Sequence, residues 1–123
     1  MMKPFKFEKL EVWNVSLCYH ELIYEICNAL PKTEQYNLED QLKRAATSVC
    51  LNIAEGSTGQ SNSEQKRFLS YAIRSSIETI AIIRLIQRYY PEIKKEQIEQ
   101  CNMQCHLLLR KLQAFRNYLK KKQ

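Results

Sequence analysis

Apolar side chains recur at intervals of three and four along nearly the whole chain, and four such stretches are set apart by the few residues that break the rhythm. The first runs from about Phe7 to Leu30 and is stopped by Pro31, which has no amide hydrogen to continue a helical ladder. Its apolar residues form two adjacent stripes, Leu10, Trp13, Leu17, Tyr24 and Val12, Val15, Tyr19, Ile23, Ile26, Leu30, a face wide enough for neighbours on more than one side. The second stretch is predicted to open at Asn37, whose side chain can cap free amides with Asp40 three residues on, and to end at Gly56. The third opens near Ser61 or Ser63, where Ser61 and Glu64 have capping-box spacing, and closes before Pro91. The fourth, from about Lys94 to Lys121, carries an unbroken heptad seam of Ile98, Cys101, Cys105, Leu108, Leu112, Phe115 and Leu119.

Segments of this length span about 30 to 40 Å at 1.5 Å per residue, and their connections are short, so successive helices should run antiparallel. The expectation is an all-α, up-down-up-down four-helix bundle forming one domain over residues 1–123. Two glycines and three prolines are too few for the turns of a many-stranded sheet, which excludes that alternative.

Five cysteines, Cys18, Cys27, Cys50, Cys101 and Cys105, form an odd set without a CxxC pair. They fit neither a disulfide framework nor a standard zinc site, and read as buried free thiols in a reducing cytoplasm. MMKPFKFEKL at the amino terminus has no apolar core, and Arg84 interrupts the densest apolar run, so neither a secretory signal nor a membrane span is expected.

The formal charge is +6, and the excess gathers late. No acid follows Glu99, whereas Arg110, Lys111, Arg116, Lys120, Lys121 and Lys122 do. The third segment adds Arg67, Arg74 and Arg88 at multiples of seven, with Arg84 one turn before Arg88. These ten residues are the candidate nucleic-acid contacts, because guanidinium and ammonium groups bind phosphate. The alternative is a solvated face or a set of intersubunit ion pairs.

The second segment holds a different pattern. Gln41, Arg44, Ser48, Asn52 and Glu55 fall on one line, opposite Leu42, Ala45, Ala46, Val49, Ile53 and Ala54. One reading is a structural network in which Arg44, Asn52 and Glu55 satisfy one another and the Trp13 indole; the other is a partner or ligand site.

The run Leu30-Pro31-x-x-Glu34-x-Tyr36-x-Leu38-x-x-Gln41-Leu42-Lys43-Arg44-Ala45-Ala46-x-Ser48-Val49-x-x-Asn52-Ile53-Ala54-Glu55-Gly56 resembles the signature of the four-helix-bundle family named for proteins encoded in 23S rRNA intervening sequences. Phe7, Leu10 and Trp13 before it, and Ser63-Glu64, Phe68-Leu69, Ala72, Ser75 and Glu78 after it, continue the resemblance. Arg74 departs from the pattern, which usually has Gly there. The resemblance implies a ring-like homopentamer with no known catalysis. It also implies a distant relation to the accessory protein of diversity-generating retroelements, which binds a reverse transcriptase.

Catalysis has little to stand on: the histidines are His20 and His106, there is no glycine-rich phosphate cradle, and no nucleophile–base pair is suggested by spacing. Cys101, Cys105 and His106 are a weak metal set, since His106 points about 100° from Cys105 on a helix. Glu34, Glu55 and Glu78 lack the paired Glu-x-x-His motifs of di-iron bundles. No cofactor is expected. The function read from the sequence is a non-enzymatic oligomer that binds RNA or DNA with low sequence preference; the alternative is an oligomeric scaffold for a protein such as a reverse transcriptase.

Overall fold

The first helix begins four residues later than periodicity predicts. In the computed structural model, which describes residues 2–59 and 61–122, Lys6–Lys9 form a 3₁₀ turn, Leu10 is extended (φ −76°, ψ 135°) and α1 spans Glu11–Ala29. The turn is held by Glu8, whose carboxylate accepts from the Phe5 amide at 3.1 Å, and by Phe7 packed edge-on against Trp13 at 4.6 Å. A 3₁₀ turn repeats every three residues, so Phe7, Leu10 and Trp13 keep a helical rhythm across a break in the helix.

Three more helices follow, α2 over Leu38–Gly56, α3 over Asn62–Tyr89 and α4 over Lys95–Lys121, and the described residues contain no strand. Asn37 precedes α2 but its side chain caps no amide. Glu34 takes that place: its carboxylate accepts from the Leu38 amide at 3.4 Å and from Asn37 Nδ2 at 3.0 Å, and the Tyr90 hydroxyl at the end of α3 donates to it. Those bonds, led by the one from Tyr90, hold the Glu34 carboxyl below its usual range. Ser61, rather than Ser63, caps α3, accepting from the Glu64 amide at 3.1 Å.

Gly56 ends α2 for a reason other than a left-handed cap. Positive φ occurs at Gly59 (87°), in the turn beyond it. A Cβ on Gly56 would lie 2.9 Å from Phe68 Cβ, so the missing side chain lets α2 and α3 approach closely. These two helices form the most extensive interface in the chain.

All four helices feed one core. Leu42, Ala46 and Val49 of α2, Ile83 and Ile86 of α3, and Cys105, Leu108 and Leu112 of the α4 seam are fully buried. Phe115 of that seam is only partly buried against the core. On α1 the stripe Val12, Tyr19, Ile23, Ile26 and Leu30 is buried, with Val15 packed against it, but Leu17 and Tyr24 of the other stripe stay exposed. Tyr19 crosses the core to donate a hydrogen bond to Thr79 of α3 at 2.8 Å.

Cys27, Cys50, Cys101 and Cys105 are buried free thiols; Cys18 is exposed, correcting the expectation for that residue. It falls one position before buried Tyr19 and so about 100° round the helix from it. Burial pushes the Cys27 thiol up to about 11, and the neighbouring Cys105 sulfur together with burial holds Cys101 far above the usual thiol range. No described helix is long and apolar enough to cross a membrane.

Specific contacts fix which parts of the helices lie level. Between α1 and α2, Ser16 meets Cys50, His20 meets Thr47, and Cys27 meets Glu39. Between α3 and α4, Ser70 meets Arg116 and Arg84 meets Asn102. In both pairs, sequence numbers rise on one helix as they fall on the other.

Candidate functional site

Along α2, the polar line predicted from the sequence lies on the surface and is not the network proposed for it. Arg44 is 79% exposed at its side chain and pairs with Asp40 at 3.6 Å. Glu55 is exposed, with no ion-pair partner among the described residues. Residues 44 and 55 lie about 16 Å apart along the helix axis at 1.5 Å per residue, too far for their side chains to satisfy each other. The Trp13 indole packs on Phe7 instead.

The middle of the line does knit two helices. Asn52 Nδ2 donates to the Ser48 carbonyl at 2.8 Å and to Ser48 Oγ at 3.1 Å, and Ser48 Oγ lies 3.0 Å from Ser75 Oγ on α3. Gln41 turns back to Asn37, donating to its Oδ1 at 3.1 Å.

Arg44, Ser48, Asn52 and Glu55 form one side of an open groove of about 480 Å³, completed by Tyr24, Lys43, Thr47 and Leu51. Its edge is ordered by short contacts. His20 Nε2 lies 3.0 Å from Thr47 Oγ1 and stacks on Tyr24 at 4.6 Å; partial burial lowers the His20 pKa from its ordinary value. Lys43 sits 5.0 Å over the Tyr24 ring and 3.2 Å from Glu39, whose hydrogen bond raises the lysine pKa. The sequence reading missed Tyr24, Thr47 and Leu51. Leu51, an apolar residue off the inner face of α2, carried a signal, whereas Tyr24 was hidden because it continues an apolar stripe of α1.

The ten candidate phosphate contacts do not form one surface. Because Ser70 lies beside Arg116, the first half of α3 runs along the last half of α4, which places Arg67, Arg74, Arg110, Arg116 and Lys120 toward one end, with Lys121 and Lys122 following. Arg84 and Arg88 belong to the other end: Arg88 is 18 residues from Ser70, about 27 Å along the axis. Arg84 is engaged there, donating to Asn102 at 2.9 Å and Gln87 at 3.3 Å.

Some of the basic end is also occupied. Arg67 pairs with Glu64 at 2.9 Å, Lys111 pairs with Glu11 at 3.2 Å, and Arg116 donates to Ser70 Oγ at 3.2 Å. Lys122 lies 4.9 Å over the Tyr118 ring. Arg74, Arg110, Lys120 and Lys121 are exposed.

Summed by helix, the charge is polarised. α1 carries Glu11, Glu21 and Glu25 with no Lys or Arg, and α2 carries three acids against Lys43 and Arg44, so the pair holds −4. α3 has five bases against two acids and α4 six against two, so that pair holds +7. Among the described residues, no three His, Cys, Asp or Glu side chains gather in a way that could hold a metal ion; Cys101 and Cys105 are buried while His106 is exposed.

The family model described as 23S rRNA-intervening sequence protein matches residues 8–114. That span reaches well into α4, where the sequence alone offered only the heptad seam as a likeness. A solved structure, of a Bacteroides thetaiotaomicron protein of unknown function from the S23 ribosomal protein family, is similar at 24% identity with a TM-score of 0.77, over 86% of this chain and 95% of that one. At that identity the likeness concerns the fold. No curated protein matches.

Proposed function

Since the chain belongs to the 23S rRNA-intervening sequence protein family, we propose that it is a non-enzymatic, cytoplasmic homo-oligomer that binds RNA, or DNA, with little sequence preference through the basic end of α3 and α4. The observation that carries this reading is that exposed Arg74, Arg110, Lys120 and Lys121 are strung along the adjoining halves of α3 and α4, on the +7 side of the chain. Bases in such a cluster contact phosphates, which carry no sequence information. The chain has no helix-turn-helix, RNP aromatic motif or KH loop with which to read bases.

The opposite running order of the α1–α2 and α3–α4 contacts supports the up-down-up-down course, and the family resemblance supports a ring of five copies. Five copies would repeat the +6 charge of each chain around a ring, so that weak patches act together.

Fluorescence anisotropy with unrelated single-stranded RNAs over a salt series tests the reading. The Arg74→Gln/Arg110→Gln/Lys120→Gln variant should bind every RNA more weakly, and the slope of log affinity against log salt should flatten by about 0.7 per lost phosphate contact. If the wild type fails to bind at low salt, or the variant binds equally well, this reading is wrong. The alternative, an oligomeric scaffold that binds a protein such as a reverse transcriptase, would then be preferred.

A further inference from the structure

Two surface lines have apolar centres and opposite charge. On α1, Leu17, Glu21 and Glu25 follow at intervals of four, and Leu17 is 41% exposed. Because α1 and α2 run in opposite senses, the contact of Ser16 with Cys50 puts Leu17 about 3 Å along the axis from the level of Leu51 of α2, which is 55% exposed. On α3, Ile77, Ala81 and Leu85 also follow at intervals of four; Ile77 is 50% and Leu85 46% exposed, and Arg84 and Arg88 border them. Glu78 is the exposed acid on this part of α3, against those two arginines.

We propose that copies of this chain associate head to tail, the α1/α2 face around Leu17 and Leu51 of one copy seating on the α3 line through Ile77 and Leu85 of the next. The inference rests on the oligomer of the preceding section but not on nucleic-acid binding.

Charge complementarity selects the pairing. An isologous contact through this line would set Glu21 and Glu25 of one copy against those of the other, and like charge across an interface disfavours it. Joining that face to α3 of another copy places Glu21 and Glu25 within reach of arginines, while the four apolar side chains leave water together. Lines spaced by four are also the ridges that interlock when helices pack. Because the two surfaces differ, the contact is heterologous, the type that closes a ring when its rotation permits. It leaves Lys120 and Lys121 clear, since they lie beyond the level of Ser70, while Arg74, one turn before Ile77, borders the contact.

Sedimentation equilibrium without nucleic acid tests the pairing. Wild type should be an assembly, and Glu21→Lys/Glu25→Lys and Arg84→Glu/Arg88→Glu should each fall to the 14.6 kDa monomer. Combining all four reversals in one chain should restore the assembly, because every contact then regains opposite charges. A monomeric wild type, an assembly that survives either reversal, or a fourfold variant that stays monomeric would each overturn the pairing.

If a reversal variant melts early by circular dichroism, Leu51→Ser and Ile77→Ser replace it: dissociation by both supports the pairing, and persistence of the assembly in either refutes it. Anisotropy on the same proteins separates the two proposals, since the reversal variants keep Arg74, Arg110 and Lys120. Loss of assembly with residual RNA binding supports the pairing whatever becomes of the RNA reading.

Discussion

On its inner face α2 sets Leu42, Ala46, Val49 and Ile53 at spacings of four, three and four, all at most 1% exposed. On its outer flank Gln41, Arg44, Ser48 and Asn52 are spaced almost as regularly, yet they range from half-buried to mostly exposed. Spacing tells which residues share a face, and both faces obey it. What the face meets depends on chemistry: apolar groups gain by leaving water wherever they pack, whereas a polar side chain can stay buried only where a specific partner waits. Ser75 waits for Ser48, and nothing on the other helices waits for Glu55.

The largest way to break this contrast is to cut into the inner face. Leu42→Ala removes a fully buried side chain between helices and should cost about 2 to 5 kcal/mol in urea unfolding. A loss below about 1 kcal/mol would mean that the helices collapse into the space left behind.

Gly56→Ala tests the same face from the opposite direction, by adding volume. Its new Cβ would meet Phe68 Cβ at 2.9 Å, and since that neighbour is fixed to the α3 backbone one helix must shift. The expected cost is about 1 to 3 kcal/mol, despite the gain in helix propensity, read as a lower melting temperature in calorimetry.

The smallest effects belong to the outer flank and sharpen the comparison within it. Asn52→Ala removes both bonds to Ser48 and should cost about 1 kcal/mol, whereas Arg44→Ala should change stability by less than about 0.5 kcal/mol. Equal losses at the two positions, measured by thermal melts at micromolar concentration, would place Arg44 inside an interface between copies.

Helix number and the buried seam were legible because they depend on patterns within each segment. Pro31 and Pro91 bracket the gaps correctly, and Ser61 caps α3 as its spacing predicts. Three of the misreadings share one cause, a partner distant in sequence, whereas the late start of α1 and the exposure of Cys18 are local. Asn37 is a good cap by type, but Glu34, held by Tyr90 from α3, supplies the acceptor. Gly56 has the composition of a helix stop, and only the position of Phe68 reveals it as a site of close approach. The basic residues were countable in sequence, but their division between two ends required the Ser70–Arg116 and Arg84–Asn102 contacts.

The charge imbalance between helix pairs also bears on kinetics. With −4 on α1 and α2 and +7 on α3 and α4, each chain is a dipole whose positive side would turn toward a polyanion before touching it. Such orientation acts on the rate of encounter and leaves the lifetime of the complex largely alone. At physiological ionic strength it operates over about 8 Å, the screening length, so the last few water layers would decide which side arrives first.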